Sequence, residues 1–251
     1  MLKPLIILTT LALTACATQL GLRDKVDLHR QMFSQIVFAP DYDSRRKDYL
    51  RKWNSPLSIK LKDQTGKSIE KYKGTVEGQS SALEKITGLK ISLATESNPA
   101  NVTIQFDTLE GMQKRAASNS GYATAAQASI SNSGCHAWIE KHSDHRITAA
   151  RIFVIVDPSA ESIQLLSGTL NSNEQLNEQL RVSQCLVKGL IKILGFVNPS
   201  DIITPSIFNS TRNLSRPTSL DLKFIKTLYN ASLKPGMPRK QALQLVENLL
   251  Q

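Results

Sequence analysis

The chain has 251 residues, of which 41% are hydrophobic and 21% are charged, so it can bury the core of one large domain or two small ones. This composition excludes a wholly disordered chain, and the sequence contains no stretch of about 20 apolar residues that could cross a bilayer as a mature helix. The 31 Lys and Arg residues outnumber the 21 Asp and Glu residues, and the resulting net charge of +10 favours contact with acidic partners.

The first residues are typical of a secretory signal peptide. Lys3 is followed by an apolar run over residues 4–15, which is too short to span a membrane. The run leads into the motif Leu13-Thr14-Ala15-Cys16, which resembles the bacterial lipobox, in which small residues precede the cysteine that receives a lipid. We therefore predict a signal peptide over residues 1–15 and lipidation of Cys16. The alternative is an ordinary signal peptide that happens to contain a cysteine.

The predicted lipid indicates where the protein resides. The resemblance to lipoproteins implies a second acylation, and several acyl chains anchor a protein to a membrane effectively permanently. Ala17 follows the cysteine, whereas an Asp at this position marks retention in the inner membrane of enteric bacteria. We therefore expect lipid anchoring at the outer membrane, and the sequence leaves open whether the protein faces the periplasm or the cell surface.

Helical and strand periodicities alternate along the rest of the chain. Apolar residues at helical spacing predict a helix over residues 18–38, and the polar, charge-dense segment up to residue 52 is interpreted as a linker or an exposed helix. A capping box at residues 172–175 opens a long, largely apolar helix that ends at Leu194, with Gly195 as its C-cap, and we predict that this is the central helix. The other helices are predicted over residues 76–87, 218–229 and 238–250, and the strands over residues 57–61, 89–93, 102–106, 135–139 and 147–156.

Two segments have unusual compositions. Residues 152–156 are continuously apolar, which predicts a strand that is covered on both faces. Residues 111–134 are rich in Ala, Ser, Asn, Gln and Gly and contain few large apolar residues. Because a structureless segment of this length is unusual within a compact domain, we predict a functional or a disordered loop there.

Two cysteines remain once Cys16 carries a lipid. The predicted signal peptide delivers Cys135 and Cys185 to an oxidising compartment, where an even pair usually forms a disulfide. We predict that this bond joins the first strand of the hairpin to the long helix. The alternative is two buried free thiols.

Several short motifs resemble those of a known bacterial family. They are Arg51-Lys52-Trp53, Asn101-Val102-Thr103-Ile104, Cys135, Cys185-Leu186, Ile193-Leu194-Gly195-Phe196, Ser206-Ile207-Phe208-Asn209, Leu228-Tyr229 and Leu233-Lys234-Pro235-Gly236-Met237. Through them, residues 45–249 are similar to the envelope proteins grouped as domain of unknown function 2927. The resemblance implies an α+β (α/β metzincin-like) fold, in which a twisted mixed sheet packs on a long central helix between helical N-terminal and C-terminal segments. It implies no reaction, because the family has no established activity.

The resemblance also bears on catalysis. In active metzincin peptidases the long helix carries H-E-x-x-H followed by Leu-Gly, and the two histidines hold zinc while the Glu acts as base. Matching Leu194-Gly195 to that Leu-Gly puts Lys188, Gly189 and Lys192 at the three positions. Because two ammonium groups repel a dication and glycine has no carboxylate, we predict no catalytic zinc and no other cofactor. Lys188 and Lys192 are expected to line a cleft or to extend into solvent.

Two further clusters have alternative interpretations. His136, His142 and His145, together with Asp144, could bind a transition metal, but their spacing suits no standard site, and a solvated polar turn is favoured. A basic cluster could bind nucleic acid, anionic lipid headgroups or surface polymers, or could be a solvated charged segment, and the envelope location argues against nucleic acid. The members of this basic cluster are Arg45, Arg46, Lys47, Arg51 and Lys52.

These observations predict a non-enzymatic envelope lipoprotein that acts as a binding or interaction module. The expected partner is an envelope protein or an anionic surface polymer, and the sequence does not determine the oligomeric state. The alternatives are an envelope hydrolase whose catalytic site is unrecognised, beside residues 111–134, and a binder of anionic surface polymer. The predicted organisation is a signal peptide over residues 1–15, a lipid anchor and helical or polar linker over 16–52, a core domain over 53–210, and a C-terminal helical segment of the same domain over 211–251.

Overall fold

A computed structural model of the chain describes residues 24–38, 49–66, 69–117, 134–156, 178–196, 198–209 and 214–251. These residues form a five-stranded mixed sheet with helices at both ends of the chain, which confirms the predicted α+β class. The strands are β1 (Leu57–Asp63), β2 (Ile91–Leu93), β3 (Val102–Asp107), β4 (Cys135–Lys141) and β5 (Ile147–Ile155). The helices are α1 (residues 24–38), α2 (Glu70–Thr87), α3 (Leu109–Ala117), α4 (Glu178–Ile193), α5 (Ser219–Leu228) and α6 (Arg239–Leu250).

The strands follow the order β2-β1-β3-β5-β4 across the sheet. β1 pairs in parallel with β2 and β3, β3 pairs in parallel with β5, and β4 forms an antiparallel hairpin with β5 at one edge. At the C-terminal end of β5, Ile152 and Val154 belong to the main core, while Phe153 and Ile155 pack on α3. The prediction of a strand covered on both faces is therefore confirmed for this end of β5.

Helix α3 corrects the prediction that the chain is structureless from residue 111. The Thr108 hydroxyl accepts a hydrogen bond from the backbone N–H of Gly111 at 3.0 Å, as an N-cap residue does. Leu109 and Met112, three residues apart, are the buried residues of α3 that pack on β5. Two apolar residues on a single turn are too few to produce a recognisable helical pattern. The remainder of the predicted loop, residues 118–133, lies outside the described residues.

Helix α4 has the central position that its largely apolar circumference predicts. Val182, Leu186 and Ile193 are fully buried, and the helix packs on β4, β5 and α2. Gly195 follows the helix with a φ of 118°, which favours glycine, and a Cβ atom at this position would overlap the carbonyl oxygen of Arg51. The predicted capping box at residues 172–175 lies outside the described residues.

Residues 50–53 are packed into the body of the protein. The backbone N–H of Leu50 donates to the carbonyl of Met237 at 2.8 Å, and the Trp53 indole N–H donates to the carbonyl of Ile193 at 2.7 Å. Arg51 and Lys52 are only 7% and 6% exposed. The interpretation of these two residues as part of a solvated charged segment is therefore wrong, because the segment 228–233 and the end of α4 lie against them.

Helix α1 packs on the same apolar core. The Phe33 ring meets the rings of Phe196 and Phe224 edge to face, with centroids 6.5 and 6.0 Å apart. The buried cluster contains side chains from Phe33 near the N-terminus to Leu250 in α6. Residues from both ends of the described chain therefore contribute to one core.

Candidate functional site

Helix α4 carries one polar stripe on an otherwise largely buried surface. Arg181, Lys188 and Lys192 are separated by seven and four residues, so at 3.6 residues per turn they lie within about 40° of one another around the helix. Each is partly buried. The two lysines were predicted from the sequence as possible cleft residues, whereas Arg181 was not, although the same helical periodicity places it on their face.

This stripe forms one wall of a cavity of about 260 Å³. His136 and Ala137 of β4 line another wall, and residues of the loop 198–209 line the third. None of the described residues that line the cavity is acidic, whereas three of them, Arg181, Lys188 and Lys192, are basic. The sequence could not reveal the contribution of the loop, because its approach to α4 depends on contacts between distant parts of the chain. The apolar side chains of the cavity wall are those of Ala137, Ile191, Phe196, Pro199, Ile207 and Phe208.

Burial disfavours the protonated, charged form of Lys188. Desolvation, assisted by the neighbouring charge of Lys192, lowers the pKa of Lys188 to about 8. The Arg181 guanidinium donates to the carbonyl of Ile155 at 2.6 Å, which holds it beside the end of β5. An anion entering this cavity would favour the protonated form of Lys188 and would therefore raise its pKa.

A disulfide holds the β4 wall against the α4 wall. Cys135 and Cys185 are bonded, and their Cα atoms are 5.5 Å apart, within the usual range of about 4.4–6.8 Å. The predicted disulfide is thus confirmed. Because Cys135 directly precedes His136, and Cys185 lies between Arg181 and Lys188, the bond fixes the spacing of the two walls close to the cationic groups.

Gly189 lies between the two lysines, where the long helix passes close to the sheet. A Cβ atom at this position would approach Cγ2 of Ile152 to 2.6 Å. No side chain fits there unless β5 or α4 shifts. The residue that matches the catalytic Glu of metzincins by sequence therefore has a packing role in this chain.

The three histidines of the sequence analysis do not come together in one site. His136 lines the cavity, whereas His142 and His145 lie at the turn between β4 and β5. Asp144 accepts from His142 at 3.2 Å, and the His145 ring stacks on Tyr49 with centroids 4.6 Å apart. Within the described parts of the chain, no group of three His, Cys, Asp or Glu side chains is arranged to hold a metal ion.

Lys52, the second member of the basic cluster that the structure describes, has a local structural role. Its ammonium donates to the carbonyls of Leu228 and Leu233 at 2.8 and 3.0 Å and lies 4.9 Å from the centroid of the Tyr229 ring. Desolvation, with a smaller contribution from Lys234, lowers its pKa to about 8. Lys52 thereby caps the C-terminal end of α5, where a cation is favoured. The other members, Arg45, Arg46 and Lys47, lie outside the described residues.

Comparison with protein families identifies the chain. A family model described as protein of unknown function (DUF2927) matches residues 27–166 and 172–248, which is most of the sequence. The chain belongs to this family. The match to the DUF2927 family includes α4 and every described residue that lines the cavity, whereas Cys16 lies before it. A search of curated proteins finds no match.

The length and the apolar character of its helices indicate whether this DUF2927 protein has a segment that could cross a membrane. Among the residues described, no helix combines the length and the apolar character needed to cross a bilayer. Lipidation of Cys16, the outer-membrane location and the likeness to metzincins stay predictions.

Proposed function

We propose that this DUF2927 protein is a lipid-anchored component of the bacterial outer membrane that binds an anionic partner in the cavity on α4 without catalysing a reaction. The observation that carries the proposal is the alignment of Arg181, Lys188 and Lys192 along a single cavity whose described lining contains no acidic side chain. Three cations that share a partly desolvated surface attract anions more strongly than the same charges dispersed in water, because the local dielectric constant is lower.

Several features support binding rather than catalysis. The position that would supply a metzincin-type base is Gly189, which has no side chain to move a proton. The disulfide next to the stripe keeps the cavity walls at a fixed spacing, and a preformed cavity reduces the entropy lost on binding. The net charge of +10 adds a long-range attraction for acidic molecules.

Binding is tested by removing the cavity charges while a control removes the same number elsewhere. The cavity variant is Arg181→Gln, Lys188→Gln, Lys192→Gln, and the control variant changes three exposed lysines to Gln, namely Lys60, Lys62 and Lys90. Titration calorimetry with short polyglutamate and with inorganic polyphosphate should give a dissociation constant at least tenfold higher for the cavity variant than for the control. Equal losses in both variants would mean that only the net charge matters and would refute the site.

Anchoring is tested separately at Cys16. Mass spectrometry of the protein from bacterial membranes should detect a diacylglyceryl group and an acyl chain on Cys16 as the first residue. Cys16→Ser should leave an unprocessed or soluble protein, whereas Cys135→Ser should remain in the membrane fraction because it does not alter the lipobox. An unlipidated wild-type protein would remove the basis for the outer-membrane location.

A second candidate function is hydrolysis, and the pKa of Lys188 is the observation that favours it. An amine with a pKa of about 8 is partly deprotonated at neutral pH and can act as a nucleophile or a general base, and His136 lines the same cavity. Turnover of peptide or ester probes by the purified protein, abolished in Lys188→Met, would replace the binding proposal with this one.

A further inference from the structure

The cationic stripe on α4 is elongated, which restricts the shape of any ligand that uses all of it. Arg181 and Lys192 are eleven residues apart, which corresponds to about 16 Å along a helix with a rise of 1.5 Å per residue. A single small anion can therefore contact the two lysines together, but it does not reach Arg181 as well. A ligand that pairs with the whole stripe must present anionic groups at several points along an extended chain.

The cavity also presents apolar surface next to the charges. Pro199 stands exposed at its margin and Ala137 is partly exposed, whereas Ile207 and Phe208 are only 3% and 5% exposed and Phe196 is fully buried. Polymers built only of phosphates or acidic sugars would leave this surface in contact with water. A ligand with apolar groups beside its anionic groups would cover it and gain roughly 25 cal/mol for each Å² removed from water.

The volume of the cavity limits what enters it. At about 260 Å³ it lies just below the roughly 300–1,000 Å³ of pockets that hold drug-sized ligands. It therefore admits a few side chains and excludes a folded domain. Side chains two residues apart on an extended peptide lie on the same face at a spacing of about 6.6 Å, close to the rise of about 6 Å between Lys188 and Lys192.

From these three observations we propose that the cavity binds an extended acidic segment of a partner protein, whose Asp or Glu side chains pair with the α4 stripe and whose apolar side chains pack near Pro199. This inference rests on the proposed function, of which it specifies the ligand class. Charge complementarity orients the segment along α4, and the apolar contact distinguishes it from other polyanions.

The test compares three probes of equal charge on the full mature protein. The first is a peptide in which Glu alternates with Leu and Phe, the second is the same peptide with Ser in place of Leu and Phe, and the third is short inorganic polyphosphate. We expect the acidic-apolar peptide to bind at least tenfold more tightly than the other two, with an affinity that falls as salt is added.

A charge exchange tests the register of the interaction. Lys192→Glu should weaken binding of the acidic-apolar peptide at least tenfold, and a peptide with one Glu replaced by Lys should recover most of the loss. Lys90→Glu, which changes an exposed lysine outside the cavity, is the matched control and should show neither effect. Recovery by the altered peptide is not expected if Lys192 only stabilises the fold.

The outcomes separate this inference from the proposed function. If polyphosphate or the Ser peptide binds as tightly as the acidic-apolar peptide, and the cavity variant loses that binding, the anionic site stands and the peptide assignment is refuted. If none of the three probes binds to the wild-type protein, both are refuted.

Discussion

At the scale of single residues, Gly189 shows that the lack of a side chain can be required for two elements to pack. Its neighbours in sequence, Lys188 and Leu190, lie on opposite sides of the helix, one toward the cavity and one in the core. Gly189 itself lets α4 approach Ile152 of β5 closely. The absence of a side chain there is therefore a requirement of packing.

Gly189→Ala should destabilise the protein by about 1–3 kcal/mol, because the added methyl group would force Ile152 or the helix to move. Gly78→Ala is the matched control, since Gly78 lies in the middle of α2, is exposed, and has nothing within 4 Å of the place where a methyl group would be added. The control should gain about 0.4–1 kcal/mol, because alanine restricts the unfolded chain. Urea denaturation of both variants measures the difference, and a loss in Gly78→Ala as large as that in Gly189→Ala would contradict the packing argument.

At the scale of elements, the disulfide joins an edge strand to the central helix. β4 pairs only with β5 among the described strands, so one side of it has no neighbouring strand in this sheet. The bond between Cys135 and Cys185 attaches its first residue to the middle of α4. The wall that carries His136 is thereby tied to the wall that carries the cationic stripe.

Replacing both cysteines, as Cys135→Ala with Cys185→Ala, should lower the free energy of unfolding by about 4 kcal/mol. This value follows from the chain entropy that a bond between residues 50 positions apart removes from the unfolded state. Denaturation of the wild-type protein with and without a reductant gives an independent measure, and the reduced wild type should resemble the double variant. A loss below about 1 kcal/mol in both experiments would show that strain or residual structure offsets the entropic gain.

At the scale of the whole molecule, the excess of basic residues extends into partly or largely buried positions. Lys52 and Lys188 both have pKa values lowered to about 8, and in both cases desolvation is the largest cause. In the unfolded chain a lysine titrates near 10.4. Between these values the unfolded state binds more protons than the folded state, so the free energy of unfolding rises with pH.

The free energy of unfolding should therefore increase as the pH is raised from about 8 to about 10. Below pH 8 both states are protonated at these lysines, so this contribution to stability is lost. In Lys188→Met the increase should be smaller, because one of the two groups no longer titrates. Lys60→Met, at an exposed position, should retain the wild-type slope. Urea midpoints measured at half-unit pH intervals provide the comparison, and identical slopes in Lys188→Met and the wild type would contradict a lowered pKa at this residue.

The sequence by itself determined the features that depend on local pattern or on composition. The alternation of Leu57, Ile59 and Leu61 predicted β1, and Gly88 and Gly195 were recognised as helix ends because each follows an apolar periodic run. The disulfide followed from the count of cysteines, since two residues allow one pairing. The central position of α4 followed from its apolar circumference, because a helix that is apolar on most sides must be covered on most sides.

Only the tertiary structure decided the features that depend on contacts between distant residues. The buried state of Lys52 requires the carbonyl groups of Leu228 and Leu233, about 180 residues away in the chain. Helix α3 is stabilised by packing on β5 rather than by a strong pattern of its own. The cavity exists because β4, α4 and the loop 198–209 meet, and no local signal in any of the three encodes that meeting. Side-chain periodicity reports which face of an element is covered, whereas the identity of what covers it is set by long-range packing.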